Sequence, residues 1–510
     1  MTLRTIDSRG ADPRPRAQTG VPGFDQIACG GLIPGRLYLL DGDPGAGKTT
    51  FALQFLLEGM RSGERCLYVT LSETREELAA GADSHGWMLD GLEVVELVAD
   101  PGDLDGEGDL TMLNPSEVEL TETTQKVLEA VERLKPKRMV FDSLSELRLL
   151  AQSSLRYRRQ ILALKQFFVG RDCTVLLLDD RTAEGPDLQL HSIAHGVISL
   201  ESRSPPYGKV RRELQILKFR GSDYSSGLHD FVIRPGGLVV FPRLVASDHS
   251  TPFDRSVIPS GVASLDALLG GGIERGTSTL LIGPPGCGKS TIAFQYAAAA
   301  ASRNTHAAAF VFDETKGALL ARSRGLGVQF VEGSGPGELL IRQIDPAEIS
   351  PGEFAHVVRE SVEYNHAQVV IIDSLNGYLN AMPHSSYLPA QLHELLSYLN
   401  NRGVATFLVV AQSGMMGNNM TSPVDASYLA DSVVMLRYFE HAGAVKKAIS
   451  MLKKRTGPHE ESIRELWFDE GGVHLSEPLL GLRGVLSGVP VERPYKSRSE
   501  GRASSQRHDD

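Results

Sequence analysis

The sequence predicts an α/β protein made of two tandem doubly wound domains, each a mostly parallel twisted sheet flanked by helices. Three observations carry that expectation. Short, β-rich apolar runs alternate with helical patterns, as strands buried on both faces require. The pattern is written twice at a constant spacing. A glycine-rich loop joins strand to helix at the same place in both copies.

The chain has 510 residues, too many for one ordinary core, with 41% apolar and 23% charged residues, a globular balance. In the first copy "RLYLLDG", "RCLYVTL", "RMVFDSL" and "TVLLLDD" read as strands; "TSTLLIG", "AAFVFDE", "VVIIDSL" and "ATFLVVAQ" are their counterparts. Lys48 and Lys289 stand 241 positions apart, and the same offset carries Gly20 onto Gly261, Asp25 onto Asp266, Gly35 onto Gly276 and Gln54 onto Gln295. The repeat sets the boundaries. Residues 1–17 are expected to be a flexible tail, 18–245 the first domain, 246–258 a linker, 259–486 the second domain, and 487–510 a flexible C-terminal tail.

The net charge of −11 and the 6% aromatic content argue against nucleic acid as a partner. The basic stretches "PPYGKVRREL" and "HAGAVKKAI" are the best candidates for a nucleic-acid contact, and hairpin edges explain them as well. Cys29, Cys66, Cys173 and Cys287 are scattered, which argues against a zinc ribbon or a disulfide framework and suits a reducing compartment. The N-terminus lacks an apolar signal region, and the apolar runs are far shorter than a membrane span. A cytoplasmic protein without a membrane partner is expected.

"GDPGAGKT" and "GPPGCGKS" both fit G-x-x-x-x-G-K-[ST], each after an apolar strand and before a helix. Glycines let several backbone N–H groups converge on phosphates, and the helix N-terminus adds positive potential. The cradle of the first loop comprises Gly42, Asp43, Pro44, Gly45, Ala46, Gly47, Lys48, Thr49 and Thr50. That of the second comprises Gly283, Pro284, Pro285, Gly286, Cys287, Gly288, Lys289, Ser290 and Thr291. Lys48 and Lys289 are expected to reach the β- and γ-phosphates of ATP, with Thr49 and Ser290 as Mg²⁺ ligands. Asp142 and Asp373 end apolar strands, where a carboxylate holds Mg²⁺ through water; a strand-ending Asp is also common without any such role. Hydrolysis needs a further carboxylate to orient or deprotonate the attacking oxygen. The second copy offers Asp313 and Glu314, whereas the first offers Ser72 and Glu73, so one half has lost a carboxylate.

Taken together, "TGVPGFDQIACGGLIPGRLYLLDGDPGAGKTT", "PSGVASLDALLGGGIERGTSTLLIGPPGCGKST", "DET", "IIDSL" and the late "LKFRG" and "LKKRT" resemble the KaiC family of double-domain, RecA-like ATPases over nearly all of residues 18–486. The resemblance implies a two-tiered homohexameric ring with ATP between subunits. It implies that Lys218 with Arg220, and Lys453 with Arg455, reach a neighbour's site to steady charge on the γ-phosphate; by composition alone they are a solvated basic strand edge. It also implies autophosphorylation by the second domain: Ser427 falls on the family's serine acceptor, while Tyr428 replaces its threonine. A ring-shaped signalling or timing switch acting on an unidentified regulatory protein follows. A RecA-like nucleic-acid-dependent ATPase and an ATP-assembled scaffold without kinase activity are the alternatives.

Overall fold

The computed structural model describes residues 15–97, 115–181, 188–380, 387–412, 428–487 and 490–492. The chain divides into two compact units, Met1–Arg243 and Leu244–Asp510, and each is built on one large sheet.

In the first unit the strands are β1 (Leu37–Gly42), β2 (Cys66–Thr70), β3 (Glu93–Glu96), β4 (Arg138–Asp142), β5 (Thr174–Asp180), β6 (Gly196–Arg203), β7 (Arg211–Phe219), β8 (His229–Arg234) and β9 (Gly237–Phe241). They lie in the order β3-β2-β4-β5-β1-β6-β7-β8-β9. The first six in that order run parallel and the last three antiparallel. In the second unit β10 (Val257–Ile258) and β11 (Ile273–Glu274) form a small antiparallel pair. The main strands follow: β12 (Ser278–Gly283), β13 (Ala307–Val311), β14 (Val331–Glu332), β15 (Glu338–Gln343), β16 (Val369–Asp373), β17 (Ala405–Ala411), β18 (Ser432–His441), β19 (Ala444–Lys454), β20 (Ile463–Asp469) and β21 (Gly472–Pro478). Their order, β14-β15-β13-β16-β17-β12-β18-β19-β20-β21, repeats the first sheet with one extra edge strand.

Side chains alternate across each sheet and feed two separate cores. Tyr38 and Leu40 of β1 join Tyr68, Val140, Leu176 and Leu178 beneath the phosphate-loop helix Lys48–Arg61. Leu37 and Leu39 join Leu67, Val69, Phe141 and Leu177 on the opposite face. The second sheet divides in the same way, with Leu281, Ala309 and Ile371 on the face of the helix Lys289–Ala301 and Leu280, Phe310 and Ile372 behind. A parallel sheet buried on both faces therefore needs the unbroken apolar strands seen in the sequence. The period-2 geometry decides which strand-end residue faces which helix layer.

The constant-offset residues have structural causes. Asp25 accepts the Thr19 backbone N–H at 3.0 Å, and Asp266 accepts that of Ser260 at 2.7 Å. Gln54 donates to Gly20 O at 3.3 Å and Gln295 to Ser260 O at 2.9 Å, tying each opening segment to its phosphate-loop helix. The stretch 246–258 packs on the second unit: Ala246 N donates to Glu394 and Ala246 O accepts from Asn401, both at 3.0 Å. Ala17 N donates to Leu32 O at 2.8 Å. Beyond residue 486, β23 (Val491–Glu492) pairs back with β22 (Leu482–Arg483). The two basic stretches form the turns of the β6–β7 and β18–β19 hairpins. No helix among the described residues is long and apolar enough to cross a membrane.

Candidate active site: two phosphate loops with different carboxylates

Each loop leaves the central strand of its sheet and turns into the first residue of its helix. Gly47 and Gly288 sit at the N-cap with φ of 106° and 105°. Glycine is required there twice over, because a Cβ would be strained at that φ and would run into Ile233 or Phe468. Among the described residues no capping side chain occupies either N-cap, so the first N–H groups of both helices stay available to an anion.

The lysines are held alike at the backbone. Lys48 Nζ donates to Gly42 O at 3.0 Å and Asp43 O at 2.9 Å; Lys289 Nζ donates to Gly283 O at 2.9 Å and Pro284 O at 2.7 Å. Their counter-charges differ. Lys48 forms an ion pair with Asp180 Oδ1 at 2.6 Å, whereas Lys289 has no carboxylate within ion-pair distance among the described residues. Burial lowers the pKa of the Lys289 ammonium, offset in part by Cys287 and Asp373.

Asp142 and Asp373 end the strands beside β2 and β13, and both are buried. In both units the peptide bond after this Asp is cis. Thr49 Oγ1 donates to Asp142 Oδ2 at 3.4 Å, and Ser290 hydrogen-bonds Asp373. Burial is the main cause that raises both carboxyl pKa values; Tyr68 and Ser290, respectively, are the leading hydrogen bonds that oppose it. A hydroxyl beside a buried carboxylate at the foot of a phosphate cradle is an all-oxygen donor set, and it fits Mg²⁺.

The backbone register fixes the correspondence of the second carboxylates. Thr70 pairs with Asp142 and Val311 with Asp373, so Ser72 occupies the place of Asp313, and Glu73 that of Glu314. Glu314 is paired with Arg322 at 3.0 Å, and Asp313 accepts a hydrogen bond from Ser374 Oγ. Glu73 is half-buried; desolvation first, then the charges of Asp142 and Glu77, raises its pKa. A cleft of about 250 Å³ lies over the second loop, bordered by Lys289, Ser290, Arg322, Leu326, Lys447 and Phe468.

Lys218, Arg220, Lys453 and Arg455 lie away from the phosphate loop of their own unit. Lys218 is opposite Val197 and Lys453 opposite Val433, near the starts of β6 and β18. Gly42 instead pairs with Leu200, three residues or about 10 Å further along β6. Lys218 Nζ donates to His191 O at 2.5 Å, and Arg220 to Ser192 O at 3.3 Å. Lys453 Nζ donates to Ala430 O at 2.8 Å, and Arg455 pairs with Asp431 at 3.3 Å. Ser427 lies outside the described residues; its neighbour Tyr428 accepts from Arg455 through its backbone carbonyl at 3.0 Å.

Sequence reasoning missed Tyr68, Asp180 and Arg322. Tyr68 donates to Asp142 Oδ2 at 2.5 Å from inside β2. Asp180 pairs in register with Gly42 itself. A polar residue within an apolar strand and the acidic doublet closing "TVLLLDD" were the available signals.

Two segments, 17–245 and 258–479, match the family model described as KaiC ATPase. The chain is 26% identical to the circadian clock protein KaiC3 of Synechocystis sp., covering 95% of this chain and 96% of that protein. It is 26% identical to the circadian clock oscillator protein KaiC of Parasynechococcus marenigrum, covering 94% of each. To the protein of that name from Synechococcus elongatus it is 25% identical, covering 95% of this chain and 93% of that one. With two RecA-like α/β units, each carrying a phosphate loop, this chain belongs to the KaiC ATPase family.

Proposed function

We propose that the protein is a ring-forming, Mg²⁺-dependent ATPase in which the two pockets divide the work: the first binds ATP chiefly to hold the assembly together, and the second carries out the chemistry. The observation behind this reading is the distance, within each unit, between the phosphate loop and the Lys-x-Arg pair. A pair at the end of β7 or β19, opposite the start of β6 or β18, is too far along the sheet to serve its own loop. A homohexamer with ATP between subunits brings a neighbour's Lys453 and Arg455 to the γ-phosphate held by Lys289, where two fixed cations stabilise the charge of the transition state.

The residues at the second pocket suit phosphoryl transfer. Bound Mg²⁺ would neutralise phosphate charge beside Ser290 and Asp373. Glu314, aligned by Arg322, and Asp313, aligned by Ser374, are placed to orient an attacking oxygen and take its proton. With water as nucleophile the products are ADP and phosphate. With the Ser427 hydroxyl, the oxygen–phosphorus bond forms as the bond to ADP breaks, and the serine proton passes to a carboxylate. Autophosphorylation at Ser427, a cytoplasmic location and a signalling partner belong to this reading, as do domain limits of 18–245 and 259–486.

ATP labelled at the γ-phosphate, given to the wild-type protein and to Lys289→Ala, tests it. Label entering the wild-type chain at Ser427, and absent from the variant, supports a kinase. Label found only as free phosphate would remove the acceptor assignment and leave an ATPase switch.

A further inference from the structure

Among the described residues, the first phosphate loop carries an anion that the second lacks. Asp180 is the last residue of β5 and pairs in parallel register with Gly42, the first residue of the loop. Strand alternation places it on the same face as Leu176 and Leu178, the face covered by the helix Lys48–Arg61. Its neighbour Asp179 takes the other face, where it is paired with Arg148 at 2.7 Å. Only Asp180 of this doublet can therefore meet Lys48, and it does so at 2.6 Å.

The backbone of Asp180 is anchored, since its N–H donates to Ser145 Oγ at 3.0 Å. The following residue, Arg181, donates its N–H to Gly42 O, also at 3.0 Å. In the second unit the register partner of Gly283 is Ala411, with no charge, and an Asn376 side chain holds that strand end through its backbone at 2.8 Å.

We propose that Asp180 is a specificity-determining residue of the first pocket: it pairs with Lys48 and competes with phosphate for it. Nucleotide binding there consequently depends strictly on a divalent cation. The inference rests on the reading of both loops as nucleotide sites. A phosphate arriving at Lys48 must displace a charge-assisted partner and then lie beside its negative charge. A divalent cation held near Thr49 and Asp142 would screen that repulsion, because Asp180 is close enough to Asp142 to act on its charge. Metal-free nucleotide has no such screen. Lys289 pays neither cost.

The test uses the full chain with Lys289→Ala as background, so that the first pocket reports alone, and the fluorescent probe mant-ATP with either Mg²⁺ or EDTA. The background protein should bind metal-free probe at least about tenfold more weakly than the Mg²⁺ form, and Asp180→Asn should recover about tenfold in EDTA with a smaller change in Mg²⁺. Asp180→Ala should follow the Asn variant, and Asp180→Glu, which keeps the charge, should follow the parent. Unchanged or weaker binding of metal-free probe by both neutral variants would overturn the inference alone. No binding of either probe form by any of these proteins would overturn the nucleotide assignment of the first pocket, and the inference with it.

Discussion

The two phosphate loops hold their lysines by the same pair of backbone carbonyls, yet the carboxylates around them are arranged differently. The second pocket has Asp313, Glu314 and Asp373, with Arg322 paired to Glu314. The first keeps Glu73 and Asp142, has Ser72 where the second has Asp313, and gains Asp180 from a different strand. The loop and the open helix N-terminus, which are most of what phosphate binding demands, are present in both halves. The strand end that carries Asp313 in the second half carries Ser72 in the first, and there the halves have diverged. A duplicated fold thus keeps its scaffold while the charges at its strand ends change independently.

The largest effect expected concerns the pockets' dependence on a neighbour. Arg455→Ala and Lys289→Ala should each lower phosphate release from the second pocket by at least about a hundredfold. Mixing the two proteins should restore part of it, since some interfaces then combine an intact loop with an intact arginine. Absence of recovery in a mixture shown to co-assemble would place the arginine's action within its own chain.

Next comes Arg322→Ala. With Glu314 no longer paired, turnover at the second pocket should fall about tenfold, while nucleotide binding to the first stays as it was. Steady-state phosphate release and mant-ATP binding, measured on the same preparation, separate the two.

Tyr68→Phe probes a difference in the other direction, because the corresponding strand position in the second unit is Ala309. Loss of the hydroxyl leaves the buried Asp142 carboxylate short of a donor and should destabilise the first unit by about 1–2 kcal/mol in denaturant titrations. The Asp142 pKa, already raised by burial, should rise further.

The smallest effect runs counter to intuition. Burial raises Asp142 and Asp373 above the ordinary value of 3.8, so the charged forms are costly in the empty protein. Asp142→Asn or Asp373→Asn should therefore stabilise the nucleotide-free protein by about 1 kcal/mol at neutral pH. A carboxylate whose folded pKa is raised binds its proton more tightly when folded. Its penalty is full above that pKa and shrinks as pH falls through it, so the gain from Asn should vanish in acid. In MgATP the order should reverse, the wild type gaining more thermal stability than either variant.

Much of this arrangement was legible in the sequence, and the missing parts share one cause. The loops, Asp142, Asp373 and the acids after the second strands are local words repeated at matched positions, and the repeat itself identified Ser72 as a substitution. Asp180 meets Lys48 only because β5 and β1 pair in parallel, a contact between segments 138 residues apart that no local pattern encodes. Tyr68 looked like one more apolar strand residue until the register of β2 and β4 set its hydroxyl on Asp142. The distance of Lys218 and Lys453 from their own loops likewise follows from where each hairpin begins. The stretch 246–258 has a linker's composition, but Ala246 is buried through hydrogen bonds to Glu394 and Asn401, well over a hundred residues away.

The most direct measurement of the division of labour compares phosphate release by two carboxylate variants under identical conditions. Glu73→Gln should keep more than about half of the wild-type rate, whereas Asp313→Asn combined with Glu314→Gln should lose at least about a hundredfold. A larger loss from Glu73→Gln than from the double variant would contradict it and assign the chemistry to the first pocket.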